Sequence, residues 1–426
     1  MSKDNAIIVG IDIGTSNVRA VIAQYGKNEE QSRIIGVGSA SSVGIRRGMI
    51  TDVDDVSKVI NDVVEGAERM AGMPVKYAAV NIGGGEISFQ NSKGVIAIGR
   101  ADGEVTEDDI NRVIAEAQVI SLPMNKEIVH VIPRKYRLDD QDNIKDPLGM
   151  KGVRLEVETM IIESSASQVK NISKCVYQAG IEVEDLVLEP LACAKAVLSK
   201  KQKELGVVLV NIGGGTTSVA VFEEGELLHT TILPVGAGHV TNDIAIGLRT
   251  SVEVAERIKL EYGCALSREI DKNEGIDLSM FDSQESDVVS RQHVAEIIEA
   301  RLEEIFQLVQ NELKNIGKAG LLPSGAVLVG GGSKMPQVAE LAKEVLRLPI
   351  QIGFPVGFGG VLDKIDDPSF ATAAGLILWQ EELQENGARG AKGGVGGMGL
   401  KSLNTFSKGT GEAVDKVRDW MKKFLP

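Results

Sequence analysis

The stretch that decides the fold is Gly10-Ile-Asp-Ile-Gly-Thr-Ser-Asn-Val-Arg19. The apolar run Ala6–Ile13 predicts a buried strand, and the run Val18–Gln24 predicts a second strand after a tight turn. Such a turn presents successive backbone N–H groups that bind anions, and its polar side chains add donors. The predicted phosphate ligands are Gly14, Thr15, Ser16 and Asn17. Asp12 ends the first strand, where a carboxylate can hold hydrated Mg²⁺ beside phosphates.

Two more glycine turns follow later in the chain. The second turn lies between the predicted strands Val207–Ile212 and Ser218–Glu223, and it repeats the pattern of the first. The third turn follows the predicted strand Gly325–Val329 and precedes a helix, so its N–H groups also point at a ligand. The candidate ligands are Asn211, Gly213, Gly214, Gly215, Thr216 and Thr217 in the second turn and Gly330, Gly331, Gly332 and Ser333 in the third. A single glycine turn is usually structural, but three in one duplicated frame are a specific signal.

Strands and helices alternate along the chain, which is typical of the α/β class. A further strand is predicted at Tyr77–Ile82, and helices at Val53–Ala71, Glu107–Ile120, Ser165–Ala179, Leu191–Leu198, Val252–Tyr262, Val294–Ile316 and Met335–Leu346. The repeated turn predicts two related lobes. Residues 85–162 interrupt the first lobe with mixed content, and Thr106 is a good N-cap there, so we interpret them as an inserted subdomain.

Composition excludes several classes of protein. The chain has 426 residues, 43% of them hydrophobic, as in a globular protein with a sizeable core. Its net charge of −14 argues against nucleic-acid binding, which needs a basic surface. Three widely spaced cysteines without a C-x-x-C pair suit a reducing compartment. Without a signal-peptide pattern or a long apolar run, the sequence predicts a cytoplasmic protein.

The C-terminal part is basic although the chain is acidic. Residues 387–426 contain eight Lys or Arg and three Asp or Glu, so their net charge is 8 − 3 = +5. Residues 384–411 contain nine glycines and predict a flexible linker, and residues 412–426 predict an amphipathic helix that lies in a membrane interface. Its apolar face contains Ala413, Val414, Val417, Trp420, Met421, Phe424 and Leu425. The alternative is a helix that docks on the body of the protein or on a protein partner.

The order of these motifs resembles that of the actin/Hsp70/sugar-kinase ATPase superfamily. The matching stretches are Gly10–Val21 and Val210–Val221 for two phosphate motifs, Leu188–Ala192 and Ala371–Leu376 for two connecting helices, and Val327–Val338 for an adenosine motif. Within this superfamily the chain is similar to the FtsA family of bacterial division proteins, over about residues 6–382 and again at the tail. This similarity is carried by Pro147–Leu155, Thr241–Ala245, Ala255–Lys259 and Arg291–Arg301.

The resemblance implies an actin-like two-lobed fold with ATP and Mg²⁺ between the lobes. It implies a first-lobe core of residues 1–84, 163–200 and 358–383, a second-lobe core of 201–243 and 306–357, a small subdomain of 244–305, and the insertion at 85–162. Glu256 and Lys259 would line the nucleoside pocket, Gly236 would contact the cofactor, and the third turn would hold the adenosine. Glu189 would lie near the attacking water.

The chain departs from the family pattern at one position of the second phosphate motif. That motif normally begins with Asp, whereas this chain has Asn211, and Ser218 stands where Hsp70-like relatives have another acid. Loss of a carboxylate weakens the polarisation of the attacking water. We therefore expect ATP binding with weak or absent hydrolysis.

The function that the resemblance implies is that of a peripheral membrane protein on the cytoplasmic face of the membrane at the division site. It would polymerise into filaments and anchor the FtsZ ring, with the FtsZ C-terminal tail bound at about residues 244–305 and lipids at 412–426. The charged helix Arg291–Glu304 is a candidate surface for FtsZ, although a solvated helix face has the same pattern. The alternatives are an actin-fold kinase or ATPase, and an anchor for another filament or a pilus apparatus. The sequence shows no constellation for a sugar kinase, and the amphipathic tail favours the adaptor.

Overall fold

The computed structural model of the chain describes residues 5–26, 31–281 and 287–390. These residues form a mixed α/β structure with two lobes and an inserted subdomain. The predicted membrane helix at 412–426 and most of the predicted linker at 384–411 lie outside the described residues. Within the described part, no helix has both the length and the apolar content that crossing a bilayer requires.

The first lobe begins with an antiparallel meander followed by a helix and a parallel strand. Its elements are β1 (Asn5–Ile13), β2 (Asn17–Gly26), β3 (Ser32–Ser41), the short hairpin strands β4 (Ile45–Arg46) and β5 (Met49–Ile50), α1 (Val53–Ala71) and β6 (Tyr77–Ile82). Helix α1 is capped by Asp52 at its start and ends at Gly72 with a left-handed φ of 71°. Its apolar face packs closely on the sheet because Gly36 and Gly38 of β3 have no side chains at the points of contact.

The inserted subdomain is a four-stranded antiparallel sheet covered by one helix. It comprises β7 (Ser88–Ala97), α2 (Glu107–Ala117), β8 (Lys126–Leu138), β9 (Gln141–Ile144) and β10 (Arg154–Ser165), in the sheet order β7-β10-β8-β9. Thr106 and Asp109 form a capping box at the start of α2. A separate core that includes Val113, Leu155 and Ile161 explains why this segment forms a unit of its own.

The chain then returns to the first lobe and enters the second. The returning elements are α3 (Ala166–Gln178), β11 (Glu182–Leu188), α4 (Glu189–Val197) and α5 (Lys200–Leu205). The second lobe comprises β12 (Val207–Ile212), β13 (Thr217–Glu223), β14 (Glu226–Leu233), α6 (Ala237–Leu248), α7 (Val252–Tyr262), β15 (Gly275–Asp277), β16 (Val288–Ser290), α8 (Arg291–Asn315), β17 (Ala326–Val329), α9 (Val338–Leu346) and β18 (Ile350–Ile352). Finally β19 (Phe358–Gly360) and α10 (Ala371–Gly390) return to the first lobe.

The two large sheets have the same design. The first runs β11-β6-β1-β2-β3-β19, and the second runs β18-β17-β12-β13-β14. In each sheet a three-stranded antiparallel meander is extended by two parallel strands beside its first strand. This shared topology confirms the duplication that the repeated turn predicts.

Within the described residues, every predicted strand and helix is present, with ends that differ by a few residues. Several observed elements have no counterpart in the sequence prediction: the strands β3, β7, β8, β10, β11 and β14, and the helix α6, whose apolar periodicity is interrupted by Gly238 and Gly247. Helix α10 continues to Gly390 and so includes the first residues of the segment that composition predicts as a linker.

The lobes are joined where α10 crosses α4. A Cβ atom at Gly375 would overlap the carbonyl oxygen of Ala192, so the two helix backbones are in direct contact. Buried apolar residues of both lobes surround the crossing, among them Leu209, Val327 and Ile377. The position of one lobe relative to the other therefore depends on a helix contact that only glycine permits.

We predict that Gly375→Ala destabilises the protein, whereas Gly66→Ala in α1 stabilises it. Both changes gain the same helix propensity, but a Cβ at Gly66 would meet only the flexible side chain of Arg69, at 3.9 Å, whereas one at Gly375 would overlap the backbone of Ala192. We expect a loss of roughly 1–3 kcal/mol at position 375 and a gain of about 0.4–1 kcal/mol at position 66. Urea unfolding measures both, and equal gains at the two positions would contradict the close crossing.

Candidate functional site

A cleft of about 1140 Å³ separates the two lobes. Its walls come from the turn between β1 and β2, the turn between β12 and β13, helix α7 and the loop after β17. Most of the residues that the sequence analysis singled out line it: Asp12, Gly14, Thr15, Ser16, Asn17, Glu189, Asn211, Gly213, Gly214, Gly215, Thr216, Glu256, Lys259, Gly330, Gly331 and Gly332. The fold thus brings together residues from both halves of the chain.

The first two glycine turns have the same hydrogen bond. The amide of Gly14 donates to Asn17 O over 3.1 Å, and the amide of Gly213 donates to Thr216 O over 2.9 Å. Among the described residues, the amides in the middle of each turn have no acceptor; they belong to Thr15, Ser16, Gly214 and Gly215. The turns meet across the cleft, since a Cβ at Gly214 would overlap Ser16 Oγ. Free amides from both lobes therefore converge on one region.

Three of the predicted ligands do not line the cleft but support its turns. The hydroxyl of Thr217 donates to Val235 O over 2.8 Å, and the hydroxyl of Ser333 donates to Gly330 O over 2.8 Å. Gly236 precedes α6, whose first two amides, those of Ala237 and Gly238, each donate over 2.8 Å to a carbonyl of the second turn. The bonds from Ser333, Ala237 and Gly238 use carbonyls of the turns and leave the N–H groups of the turns for a ligand.

Asp12 is a buried carboxylate at the base of the first turn. Asn81 Nδ2 donates to it over 2.9 Å, and Arg19 lies 3.8 Å away. Burial raises the pKa of Asp12 to about 7, partly opposed by the guanidinium of Arg19. A cation bound beside Asp12 would favour the ionised form of its carboxyl group, so Asp12 is suited to a site that binds a cation.

Glu189 lies at the start of α4, between the lobes. Its carboxylate accepts hydrogen bonds from Asn211 Nδ2 and Ser218 Oγ, and from Cys193 Sγ over 3.5 Å. Burial raises the pKa of Glu189, and the bonds from Ser218, Asn211 and Cys193 oppose the rise. The two positions that lack an acid in the second motif therefore supply donors to the acid of the first connecting helix.

Lys259 and Glu256 form the wall of the cleft on α7. Lys259 Nζ lies 2.6 Å from Glu256 Oε2 and donates to Thr241 Oγ1 over 2.8 Å, while Thr241 donates to Glu256. Thr241 is not among the predicted site residues, although it lies in a stretch that carries the family resemblance. On the third turn, Gly330 has a left-handed φ of 84°, and a Cβ at Gly331 would meet no atom of the described residues within 4 Å.

The hairpin of β4 and β5 also lines the cleft, and the sequence analysis missed it. Its residues Arg46, Arg47 and Gly48 lie beside the first turn, where the amide of Gly48 donates to Thr15 Oγ1 over 2.9 Å. Strands of two residues are too short for an apolar pattern. The available signal was an X-Gly pair in a short segment between β3 and α1, which is typical of a tight turn.

Comparison with known proteins identifies the family. The model of the family "Cell division protein FtsA" matches residues 208–375, and that of the "SHS2 domain inserted in FTSA" matches residues 84–163. The chain is 39% identical to FtsA of Pseudomonas aeruginosa over 90% of this chain and 92% of that protein. It is 40% identical to FtsA of Bacillus subtilis over 88% of this chain and 83% of that protein. The chain belongs to the FtsA family.

Membership in the FtsA family of cell division proteins confirms the resemblance, and the second match confirms the inserted subdomain. Solved structures confirm the actin-like fold. The PilM-PilN type IV pilus biogenesis complex has a TM-score of 0.65 at 18% identity, covering 87% of this chain and 97% of that chain. MreB5 of Spiroplasma citri bound to ADP has a TM-score of 0.54 at 13% identity, covering 89% and 98%. At such identities these likenesses show the fold alone, so the pilus structure does not favour the pilus alternative.

We predict that Asn211→Asp destabilises the protein increasingly as the pH rises. The new carboxyl would lie within hydrogen-bonding distance of Glu189, and the two cannot both ionise without repulsion. The pair therefore has a raised pKa in the folded state. Its contribution to the free energy of unfolding is intact at low pH and is lost as the pH rises through that pKa. We expect a loss of roughly 2–4 kcal/mol between pH 5 and pH 8, measured by urea unfolding.

The double variant Glu189→Gln/Asn211→Asp is the control. It exchanges the amide and the carboxylate between the two positions and should recover most of the stability at pH 8. A loss at position 211 that is equal at both pH values, or that the double variant does not recover, would contradict this account.

Proposed function

We propose that the protein binds ATP with Mg²⁺ between its lobes. The observation that carries this proposal is the pair of glycine turns, one from each lobe, whose middle amides have no acceptor among the described residues and meet across the cleft. Backbone N–H groups arranged in this way bind phosphate oxygens without any charged side chain. The structural neighbours from Spiroplasma citri, which are described as bound to ADP and AMPPNP, support a nucleotide in a cleft of this fold.

The residues of the cleft fit Mg²⁺ only in combination with phosphate. In the described ranges, no three His, Cys, Asp or Glu side chains cluster closely enough to hold a metal by themselves. Mg²⁺ commonly keeps several waters and shares its remaining contacts between a carboxylate and phosphate oxygens. Asp12 would supply the carboxylate through water, and a metal held there would neutralise phosphate charge.

The nucleoside would lie between α7 and the third turn. Lys259, Glu256 and Thr241 form a polar wall on one side, and Gly330–Gly332 form a wall without side chains on the other. Such a slot admits a flat base and offers hydrogen bonds at its edge.

We propose that hydrolysis of ATP is slow. A general base must be free to orient water near the terminal phosphate. Glu189 instead accepts hydrogen bonds from the uncharged side chains of Asn211 and Ser218. Its carboxylate is therefore engaged by the protein itself, which favours nucleotide binding over turnover.

We predict that Gly331→Leu weakens ATP binding at least tenfold without changing the thermal midpoint of unfolding. The side chain would enter open space at the wall of the cleft, so it obstructs a ligand without disturbing the fold. Gly99→Leu in the inserted subdomain is the control, because position 99 is equally open and does not line the cleft. Calorimetric titration with ATP·Mg²⁺ measures the affinity, and an unchanged affinity in Gly331→Leu would rule out this cleft as the site.

The cellular role we propose is that of a membrane-attached adaptor of cell division. The protein would polymerise, bind the FtsZ C-terminal tail at about residues 244–305, and anchor the FtsZ ring to the cytoplasmic face of the membrane. Helix α8 supports this choice of surface. Val294, Ile298 and Leu302 are buried, while His293, Glu296 and Glu303 are exposed, so one charged face is available to a partner.

Attachment to the membrane would run through residues 412–426 and depend on assembly. Burial of each large apolar side chain of a short amphipathic helix stabilises membrane binding by at most about 1.5–3 kcal/mol. Ordering the helix costs roughly 1–2 kcal/mol per residue. One tail therefore binds weakly. A polymer presents many tails together, and avidity can strengthen binding by about 10²–10⁴.

We predict that Trp420→Glu releases the protein from liposomes and leaves nucleotide binding intact. The change places a charge in the middle of the predicted apolar face. Val395→Glu, which adds the same charge in the glycine-rich segment, is the control and should still co-sediment with vesicles. If Trp420→Glu co-sediments as well as the unaltered protein, the tail is not the anchor.

A further inference from the structure

The hairpin of β4 and β5 holds an arginine in a backbone conformation that arginine rarely adopts. Arg47 and Gly48 form its two-residue turn, with φ of 52° and 74°. A turn with two left-handed residues suits the twist of a hairpin, but its usual sequence is Asn-Gly or Asp-Gly. Of the seven non-glycine residues with left-handed φ in the described part of the chain, Arg47 alone lines the cleft. An unfavourable conformation retained beside a ligand site points to a function for the side chain.

The first lobe holds the tip of this hairpin in place. The amide of Gly48 donates to Thr15 Oγ1 over 2.9 Å, and Gln168 Nε2 donates to Gly48 O over 3.2 Å. Behind the tip, a Cβ at Gly48 would lie 2.8 Å from Gly84 Cα, so the two backbones are in contact. The position of Arg47 is therefore fixed relative to the first phosphate turn.

The tip also meets the second lobe. A Cβ at Gly215 would lie 2.9 Å from Arg47 Cα and 2.7 Å from Thr15 Oγ1. The backbone of Arg47 thus lies at the point where the turns of the two lobes come together. The free amides of both lobes converge at the same point.

The charge balance of the cleft distinguishes Arg47 from most other cations there. Six cationic side chains line the cleft: Arg19, Arg46, Arg47, Arg257, Lys259 and Lys334. Four of them are paired with carboxylates, namely Arg19 with Asp12, Arg257 with Glu261, Lys259 with Glu256 and Lys334 with Asp367. Within the described ranges, the guanidinium groups of Arg46 and Arg47 have no ion pair or hydrogen bond. Of these two, Arg47 contacts the second turn.

We propose that Arg47 binds the terminal phosphate of a bound nucleoside triphosphate and so distinguishes a triphosphate from a diphosphate. This inference rests on the proposed nucleotide site. A guanidinium presents a planar fork of donors that matches phosphate oxygens, and such charge-assisted bonds are strong. Because the hairpin belongs to the first lobe and Gly215 to the second, a phosphate held by Arg47 contacts both lobes where they meet.

The test compares the affinities of the full-length protein for AMPPNP·Mg²⁺ and ADP·Mg²⁺ by calorimetric titration. Arg47→Asn removes the guanidinium and keeps a residue that tolerates left-handed φ. We expect it to weaken AMPPNP binding roughly ten- to hundredfold, and ADP binding less than about threefold. Arg47→Gly should give the same result, since glycine adopts this conformation without strain.

Arg249→Asn is the matched control. Arg249 also has a left-handed φ, of 57°, but it is exposed at the end of α6 and does not line the cleft, so both affinities should stay unchanged. If the unaltered protein binds neither nucleotide, the proposed function fails and this inference fails with it. A different outcome would overturn the inference alone: the unaltered protein binds both nucleotides, and the Arg47 variants keep its ratio of AMPPNP affinity to ADP affinity. The ratio is kept if neither affinity changes or if both fall equally.

Discussion

The arrangement of the whole molecule depends on the close crossing of α4 and α10. The contact of Gly375 with the carbonyl of Ala192 sets the distance between these helices, and β1 rests on the same part of α10, where a Cβ at Gly10 would lie 2.5 Å from Ala373 O. Helix α4 begins at Glu189, and Thr372 in the first turn of α10 lines the cleft. Helix α4 also packs against β12 and β13 of the second sheet, whereas α10 packs against β1 of the first, so the crossing joins the two sheets that end in the glycine turns.

The duplicated sheets place similar chemistry on each side of this joint. Each lobe contributes a tight glycine turn after the first strand of its meander, and in each a buried carboxylate is hydrogen-bonded by an asparagine amide. In the first lobe Asn81 donates to Asp12 at the strand end. In the second the strand ends in Asn211, which donates to Glu189 across the joint. The second lobe thus has an amide at the strand end where the first has the acid.

The inserted subdomain contacts the same joint. His130 of β8 accepts a hydrogen bond from the amide of Leu188, the residue before Glu189, over 2.9 Å and packs against Trp379 of α10. Burial lowers the pKa of His130 to about 4, so its imidazole is neutral at physiological pH and its Nε2 can accept. The insertion is therefore seated on the junction of the lobes through β11, α4 and α10.

Local patterns in the sequence determined the class of fold, the repeat and most of the cleft. Strand runs, helix periodicity and glycine turns each depend on neighbouring residues, and the chemistry of Gly14–Asn17 and Gly213–Thr216 follows from that local order. Only the tertiary structure decided that Thr217 and Ser333 support the turns from behind, and that Asn211 and Ser218 donate to Glu189. It also decided that the backbone of Arg47, in the turn between two strands too short to have a pattern, contacts Gly215 of the other lobe. These contacts join residues far apart in the chain, and neither periodicity nor spacing specifies which side chains meet once two lobes pack together.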